Sequence, residues 1–453
     1  MKSKPPPFLW GAATSSHQIE GGNEHNDWWA WEAEGHVEGG VRSGDATDHW
    51  NRFREDLQLA ASLGLNSYRF SIEWSRLEPE EGLWNTVALD RYGEILSECE
   101  RLGLLPMLTL HHFTSPRWFA EKGGFTQSGA AEKFAAYVSS VIEAFGPRIP
   151  LWCTINEPMV LVAGSYIGTF MPPGQWAPRL ASQASHQLLR AHVLAYDLLH
   201  SQSRERKGPW KDWPLQVGIA HNMLDFRPDR RWHWAEKVLS RIFDRFYNRA
   251  WLDAVTGRKQ HFGVVGMIPY ADQVQEARGK KTADFIGINY YTKAYVQWRP
   301  LAPAHKAPAQ LPVGVSFAGR KDEVFSDLDW AIHPKGLTRM LAFAGGYGLP
   351  IYVTENGIAD ADDDQRPAYL RAHLAAMRDA MRSRSADVRG YFYWSLVDNF
   401  EWGKGFGPRF GLYHVDYETL ARKPTKSAEV YRKIIEAHRA QGDGSPRLEY
   451  FRS

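Results

Sequence analysis

Eight short runs of β-branched, aromatic and other apolar residues recur along the chain. They occupy residues 8–19, 67–72, 106–112, 151–157, 216–222, 285–291, 351–356 and 388–394. Most are continuously apolar rather than alternating, the pattern of parallel strands covered on both faces. Stretches with apolar positions at helical spacing lie between most of them: 50–63 (stopped by Gly64), 88–102, 130–145, 181–201, 235–255, 336–344 and 366–384, with a last helix at 426–440 after the eighth run. Eight strands alternating with helices predict an α/β fold, a closed (β/α)₈ TIM barrel in preference to an open doubly wound sheet. No G-x-G-x-x-G or Walker sequence follows the first run, which weakens the open nucleotide-binding sheet. No linker divides the chain, so residues 1–453 read as one barrel domain. The Ala/Pro-rich stretch 299–312 reads as a long surface loop and the acidic stretch 360–364 as a solvated one.

Composition narrows the function by exclusion. Lys+Arg 54 against Asp+Glu 52 leaves a net charge of +2, which argues against a nucleic-acid partner. Hydrophobic content of 43% with 23% charged residues is that of a globular protein. No apolar run is long enough to span a membrane. The start of the chain, MKSKPPPFLWGAATSS, lacks the apolar core of a signal peptide, so a cytoplasmic protein is expected. Two cysteines, Cys99 and Cys153, are too few for a disulfide framework. The 19 tryptophans fit either a large core or flat faces on which sugar rings stack.

Barrel enzymes work at the C-terminal ends of their strands. Here those ends are polar: His17-Gln18-Ile19-Glu20, Arg69 with Glu73, His111-His112, Asn156-Glu157, His221-Asn222, Asn289-Tyr290-Tyr291, Glu355-Asn356 and Trp394-Ser395. Glu157 on the fourth run and Glu355 on the seventh would face each other nearly across the barrel mouth. Two opposed carboxylates suit glycoside cleavage, in which one protonates the leaving oxygen while the other attacks carbon or activates water. No H-E-x-x-H or similar ligand cluster appears, so metal chemistry at this site is set aside.

These residues resemble glycoside hydrolase family 1, the retaining β-glycosidases. Residues 154–158 read T-I-N-E-P, similar to the family's acid/base motif, and 353–357 read V-T-E-N-G, similar to its nucleophile motif. Residues 8–21 (FLWGAATSSHQIEG), 68–76 (YRFSIEWSR), 289–292 (NYYT), 393–402 (YWSLVDNFEW) and 409–417 (RFGLYHVDY) match in family order. The resemblance implies Glu157 as acid/base and Glu355 as nucleophile, with Arg69, Asn289 and Tyr291 supporting the latter. It maps sugar binding to Gln18, His112, Asn156, Glu401 and Trp402, with Trp394 as stacking floor, Trp330 as a leaving-group wall and Phe410 beside them. It also implies a cis Trp394–Ser395 peptide, no metal or organic cofactor, and a small carbohydrate as the partner.

The chain departs from the pattern in places. Phe113 stands where many relatives carry tryptophan, which removes an N–H donor, and His17 stands where they carry tyrosine. Glu401 is retained where relatives that cleave 6-phosphosugars carry serine, and a carboxylate there would repel phosphate. The expected activity is therefore a retaining exo-β-glycosidase of neutral sugars, a β-glucosidase with β-galactosidase or β-fucosidase side activity. A transglycosylase using the same residues, or a non-catalytic sugar-binding barrel, are the alternatives. Aglycone preference and oligomeric state are not legible in the sequence.

Overall fold

Eight parallel strands close into a barrel in a computed structural model, which describes residues 7–203, 206–258, 274–277, 279–299, 313–318 and 320–440. The strands are β1 (Leu9–Ala13), β2 (Ser67–Ser71), β3 (Leu105–His111), β4 (Leu151–Asn156), β5 (Gln216–Asn222), β6 (Phe285–Asn289), β7 (Ile351–Asn356) and β8 (Val388–Trp394). Each pairs with its neighbours in sequence, and β8 closes onto β1 with Leu9 opposite Gly390 and Ala13 opposite Trp394.

Alternation along each strand divides the apolar residues into two sets. Leu9, Ala13, Leu105, Met107, Leu151, Phe285, Tyr352, Phe392 and Trp394 form one buried cluster, the barrel interior. Trp10, Tyr68, Phe70, Leu108, Trp152, Val217, Ile286, Val353 and Tyr391 belong to a second, larger cluster shared with the helices. Gly11 makes the interior possible: a Cβ there would sit 2.3 Å from the Phe392 ring. The helices follow ordinary rules. In Thr86–Leu102 the Asn85 side chain accepts from Ala88 N–H, Ala88, Tyr92, Ile95, Leu96 and Cys99 form the buried stripe, and Gly103 ends it at φ 69°.

Several boundaries differ from the sequence reading. The first run stops as strand at Ala13, and Ser16–Ile19 is a single helical turn. The polar residues there take partners on β2: Ser16 N–H donates to Ser71 Oγ at 2.7 Å and Thr14 N–H to the Arg69 carbonyl. β6 likewise ends at Asn289, before Tyr290 and Tyr291. The predicted helix 235–255 is continuous but carries a wide i→i+5 turn over Asp244–Arg249. Strands 225–228, 293–298 and 313–316 form a small sheet beside the mouth that the sequence did not announce. Most of the predicted loop 299–312 lies outside the described residues. The stretch 360–364 is only partly solvated: Asp360 and Asp363 are buried. No helix among the described residues is long and apolar enough to cross a membrane.

Candidate active site

The two strands that deliver the glutamates are both irregular at their C-terminal ends. β7 shifts register against β6 between Val353 and Glu355 and against β8 between Val353 and Asn356, and β4 shifts against β5 between Cys153 and Asn156. Such bulges re-aim side chains. Glu157 itself has left-handed backbone, φ 45°, and precedes Pro158, which opens the helix Pro158–Tyr166. A non-glycine residue in this region is held there by its surroundings; here its N–H donates to the Ala220 carbonyl at 2.7 Å.

One hydrogen-bonded chain joins the pair. Arg69 Nη1 donates to Glu355 Oε1 at 2.5 Å, and the Tyr291 hydroxyl donates to Glu355 Oε2 at 2.7 Å. Arg69 Nη2 donates to Asn156 Oδ1 at 2.7 Å, which also accepts from Asn289 Nδ2 at 3.1 Å. The same Asn289 amide donates to Glu157 Oε1 at 2.8 Å. Arg69 and Asn289 are fully buried, Glu355 and Glu157 nearly so.

The environments of the two acids differ. Glu355 lies against a guanidinium and a phenol. Burial pushes the Tyr291 hydroxyl well above its usual range, and the Glu355 charge adds to this, so it stays a donor. Burial alone would lower Arg69, but the Glu355 carboxylate raises it. Among the described residues, the side-chain donors to Glu157 are the amides of Asn289 and Asn222. Burial, then the charge of Glu355, pushes it up to about 8, against the smaller pull of Asn289, Asn222 and Arg69. Glu401 is also raised to about 8, by burial and then by Glu355 and Glu157. Three carboxylates thus form one cluster.

The remaining residues singled out from the sequence surround it. Gln18 Nε2 donates to Asn399 Oδ1, the Phe400 carbonyl and Glu401 Oε2 at 2.9, 2.9 and 3.3 Å. Asn156 Nδ2 lies 3.1 Å from His112 Nε2. Because Asn156 Oδ1 already accepts twice, its amide donates here, so the His112 proton sits on Nδ1. Among the described residues that Nδ1–H is buried without a partner, a donor available to a hydroxyl. The His112 ring stacks at 23° on Trp394 and at 17° on Trp402. Tyr291 meets the edges of Trp330 and Phe410, with centroids 5.8 and 6.2 Å away. The Trp394–Ser395 peptide is cis. His111 points elsewhere, against Phe125 and Phe134.

Two groups of supporting residues were given no role from the sequence, although Asn222 and His17 stood among its polar strand ends. Asn222, at the end of β5, donates to Glu157 Oε1 at 3.1 Å and accepts from the Tyr247 hydroxyl at 2.7 Å. Tyr247 sits in the wide turn 244–249, a feature often found at functional sites and invisible to a helical pattern. His17 stacks on Trp402 at 15° and bonds Glu32 Oε1 at 2.8 Å through Nε2. Its Nδ1 lies 2.9 Å from Asn26 Nδ2. The Asn26 oxygen is committed to Trp29 N–H as a helix cap, so the amide donates and the His17 proton lies on Nε2. Glu32 also accepts from Ser43 N–H and Oγ, both at 2.8 Å. This chain fixes one face of Trp402, whose own backbone is left-handed at φ 49°.

Comparisons with known proteins identify the family. The model of glycosyl hydrolase family 1 matches residues 1–440. Beta-glucosidase A of Thermotoga maritima is 33% identical, over 96% of this chain and 98% of its own. A beta-galactosidase of Pyrococcus woesei is 30% identical over 95% and 96%. The solved beta-glucosidase of Thermotoga maritima in complex with glucoimidazole, 31% identical, superposes with a TM-score of 0.85 over 96% of this chain and 99% of that one. The chain belongs to glycosyl hydrolase family 1 and is an O-glycosyl hydrolase of the β-glucosidase class.

Proposed function

We propose that the chain is a retaining exo-β-glycosidase. It would remove terminal non-reducing β-D-glucosyl residues from neutral β-glucosides and short oligosaccharides. The observation that carries this reading is the contrast between the surroundings of its two glutamates. Glu355 accepts from Arg69 and Tyr291, which hold it in place to attack the anomeric carbon. Glu157, raised to about 8, holds a proton at neutral pH and can give it to the leaving oxygen. Glu157 then takes a proton from water, and that water displaces Glu355 from the sugar. No step draws on a metal or organic cofactor.

Product stereochemistry tests the double displacement. Proton NMR during cleavage of an aryl β-glucoside is expected to show the β-anomer first, with α appearing only by mutarotation. First-formed α sugar rejects the mechanism. The product ratio at high acceptor concentration separates a hydrolase from a transglycosylase.

A neutral glycone fits Glu401. A phosphate beside a cluster of three acids would be repelled, whereas a hydroxyl can accept from or donate to a carboxyl raised to about 8. Relatives include both a beta-glucosidase and a beta-galactosidase, which supports side activity on galactosides. If Trp402 contacts the sugar, its support matters for binding. His17→Phe keeps a ring against Trp402 but loses both hydrogen bonds. It is expected to raise KM for an aryl β-glucoside about tenfold while kcat changes less than about threefold, the sign of a contact made equally in ground and transition states. Unchanged KM would show that the His17 bonds are not needed.

A further inference from the structure

The wide turn Asp244–Arg249 is tied to the end of β5 by several bonds. His221 Nε2 lies 3.0 Å from the Tyr247 carbonyl, which can only accept, so this nitrogen donates. Asn248 brackets Leu224: its Oδ1 accepts from Leu224 N–H at 3.0 Å and its Nδ2 donates to the Leu224 carbonyl at 2.8 Å. The same Nδ2 donates to Asp244 Oδ1 at 2.9 Å, within the turn. These bonds fix where the turn sits and set Tyr247 against Asn222. The Tyr247 hydroxyl donates to Asn222 Oδ1 at 2.7 Å, and Asn222 Nδ2 donates to Glu157 Oε1 at 3.1 Å.

An amide can meet a carboxyl with either end, and only one end suits an acid that must both give and take a proton. With Nδ2 toward it, Glu157 Oε1 accepts from Asn222 at 3.1 Å and from Asn289 at 2.8 Å. An oxygen that accepts from two N–H groups is the carbonyl oxygen of the protonated acid, so the proton lies on Oε2. Among the described residues no donor reaches Oε2. Turned over, Asn222 would set Oδ1 against Oε1. It would then repel the ionised carboxylate and draw the proton onto Oε1, into a bond with the amide and away from a leaving oxygen. The tyrosine holds the amide the right way round. Burial pushes its hydroxyl well above the usual range, and the Glu157 charge adds to this, so it stays a donor.

We infer that Tyr247 is a positioning residue for the proposed reaction: through Asn222 it keeps the proton of Glu157 on Oε2, the oxygen free to meet the substrate. The inference rests on the reading of Glu157 as general acid. Its hydroxyl bonds Asn222 rather than Glu157, so its effect passes through one amide.

Tyr247→Phe removes the hydroxyl and keeps the ring. In the full-length protein, kcat/KM for cellobiose is expected to fall about tenfold, and for dinitrophenyl β-glucoside less than about threefold. The alkaline limb for cellobiose should move up by about half to one pH unit. A donor to the carboxylate is lost, while Glu355, Glu401, Arg69 and Tyr291 still surround it. A merely loosened site would admit water and move the limb down instead. Asn222→Ala is expected to give the same selective loss, and Tyr247→Phe/Asn222→Ala no more than either change alone, because one chain is being cut. An unchanged ratio between the two substrates, an unmoved or lowered limb, or losses that multiply in the double variant each overturn the inference. Failure of the underlying reading shows elsewhere, as equal losses for the two substrates in Glu157→Ala.

Discussion

Glu355→Ala is expected to lower kcat by on the order of 10⁵-fold or more, for good and poor leaving groups alike. The carboxylate that would bond to the anomeric carbon is gone, and no neighbour can replace it. Glu157 has its oxygen held by Asn289 and Asn222, and Glu401 is bound to Gln18. The variant also leaves the buried Arg69 guanidinium without its anion, and removing one partner of such a pair costs about 3–5 kcal/mol. Lost activity could then reflect lost structure. Glu355→Gln resolves this, because an amide oxygen still accepts from Arg69 or Tyr291. It is expected to unfold nearer the wild-type temperature and to remain equally inactive. Added formate, a carboxylate small enough for the space beside Arg69 and Tyr291, is expected to restore part of the activity of Glu355→Ala only. A folded Glu355→Gln with wild-type turnover would reject the role of Glu355.

The barrel was legible because its strands are buried on both faces and so stand out as unbroken apolar runs. Their ends were less so. Thr14 to Gln18 extends an apolar run with residues that could continue a strand, yet their polar groups find partners on β2 instead. The strands 225–228, 293–298 and 313–316 are short and pair across long gaps, so nothing local marks them. In the site, Glu157 and Glu355 were legible as motifs at strand ends. Their surroundings were not, because these depend on contacts between distant segments: Arg69 from β2, Asn289 from β6, Tyr247 from a widened helical turn. His17 could be seen as a departure, but its partner Glu32 and its stacking on Trp402 exist only in the fold. The acidic run 360–364 looked solvated because charge density is local information, while the burial of Asp360 follows from its bonds to the first turn of the next helix.

Glu157→Ala is expected to produce a different and graded loss. General acid catalysis contributes about 10²–10⁴-fold, and the share depends on how much the leaving oxygen needs a proton. A dinitrophenolate departs unaided, so its β-glucoside should lose least in the first step. A sugar or alkyl alkoxide does not, so cellobiose should lose the full range, on the order of 10⁴. The pH profile adds an independent check. A carboxyl raised to about 8 is active as an acid only while protonated, so wild-type kcat/KM should be flat near neutrality and fall as pH rises through about 8. Glu401 is raised to the same region and repels the same neighbours, so the limb could belong to either group or to both as a set. Glu157→Gln separates them. It removes the titrating acid but keeps an oxygen for Asn289 and Asn222, so the alkaline limb of the dinitrophenyl glucoside should vanish if Glu157 is the acid. A limb that persists in Glu157→Gln and disappears in Glu401→Gln would transfer it to the sugar-binding carboxyl. Equal losses for dinitrophenyl glucoside and cellobiose in Glu157→Ala would remove Glu157 from proton transfer.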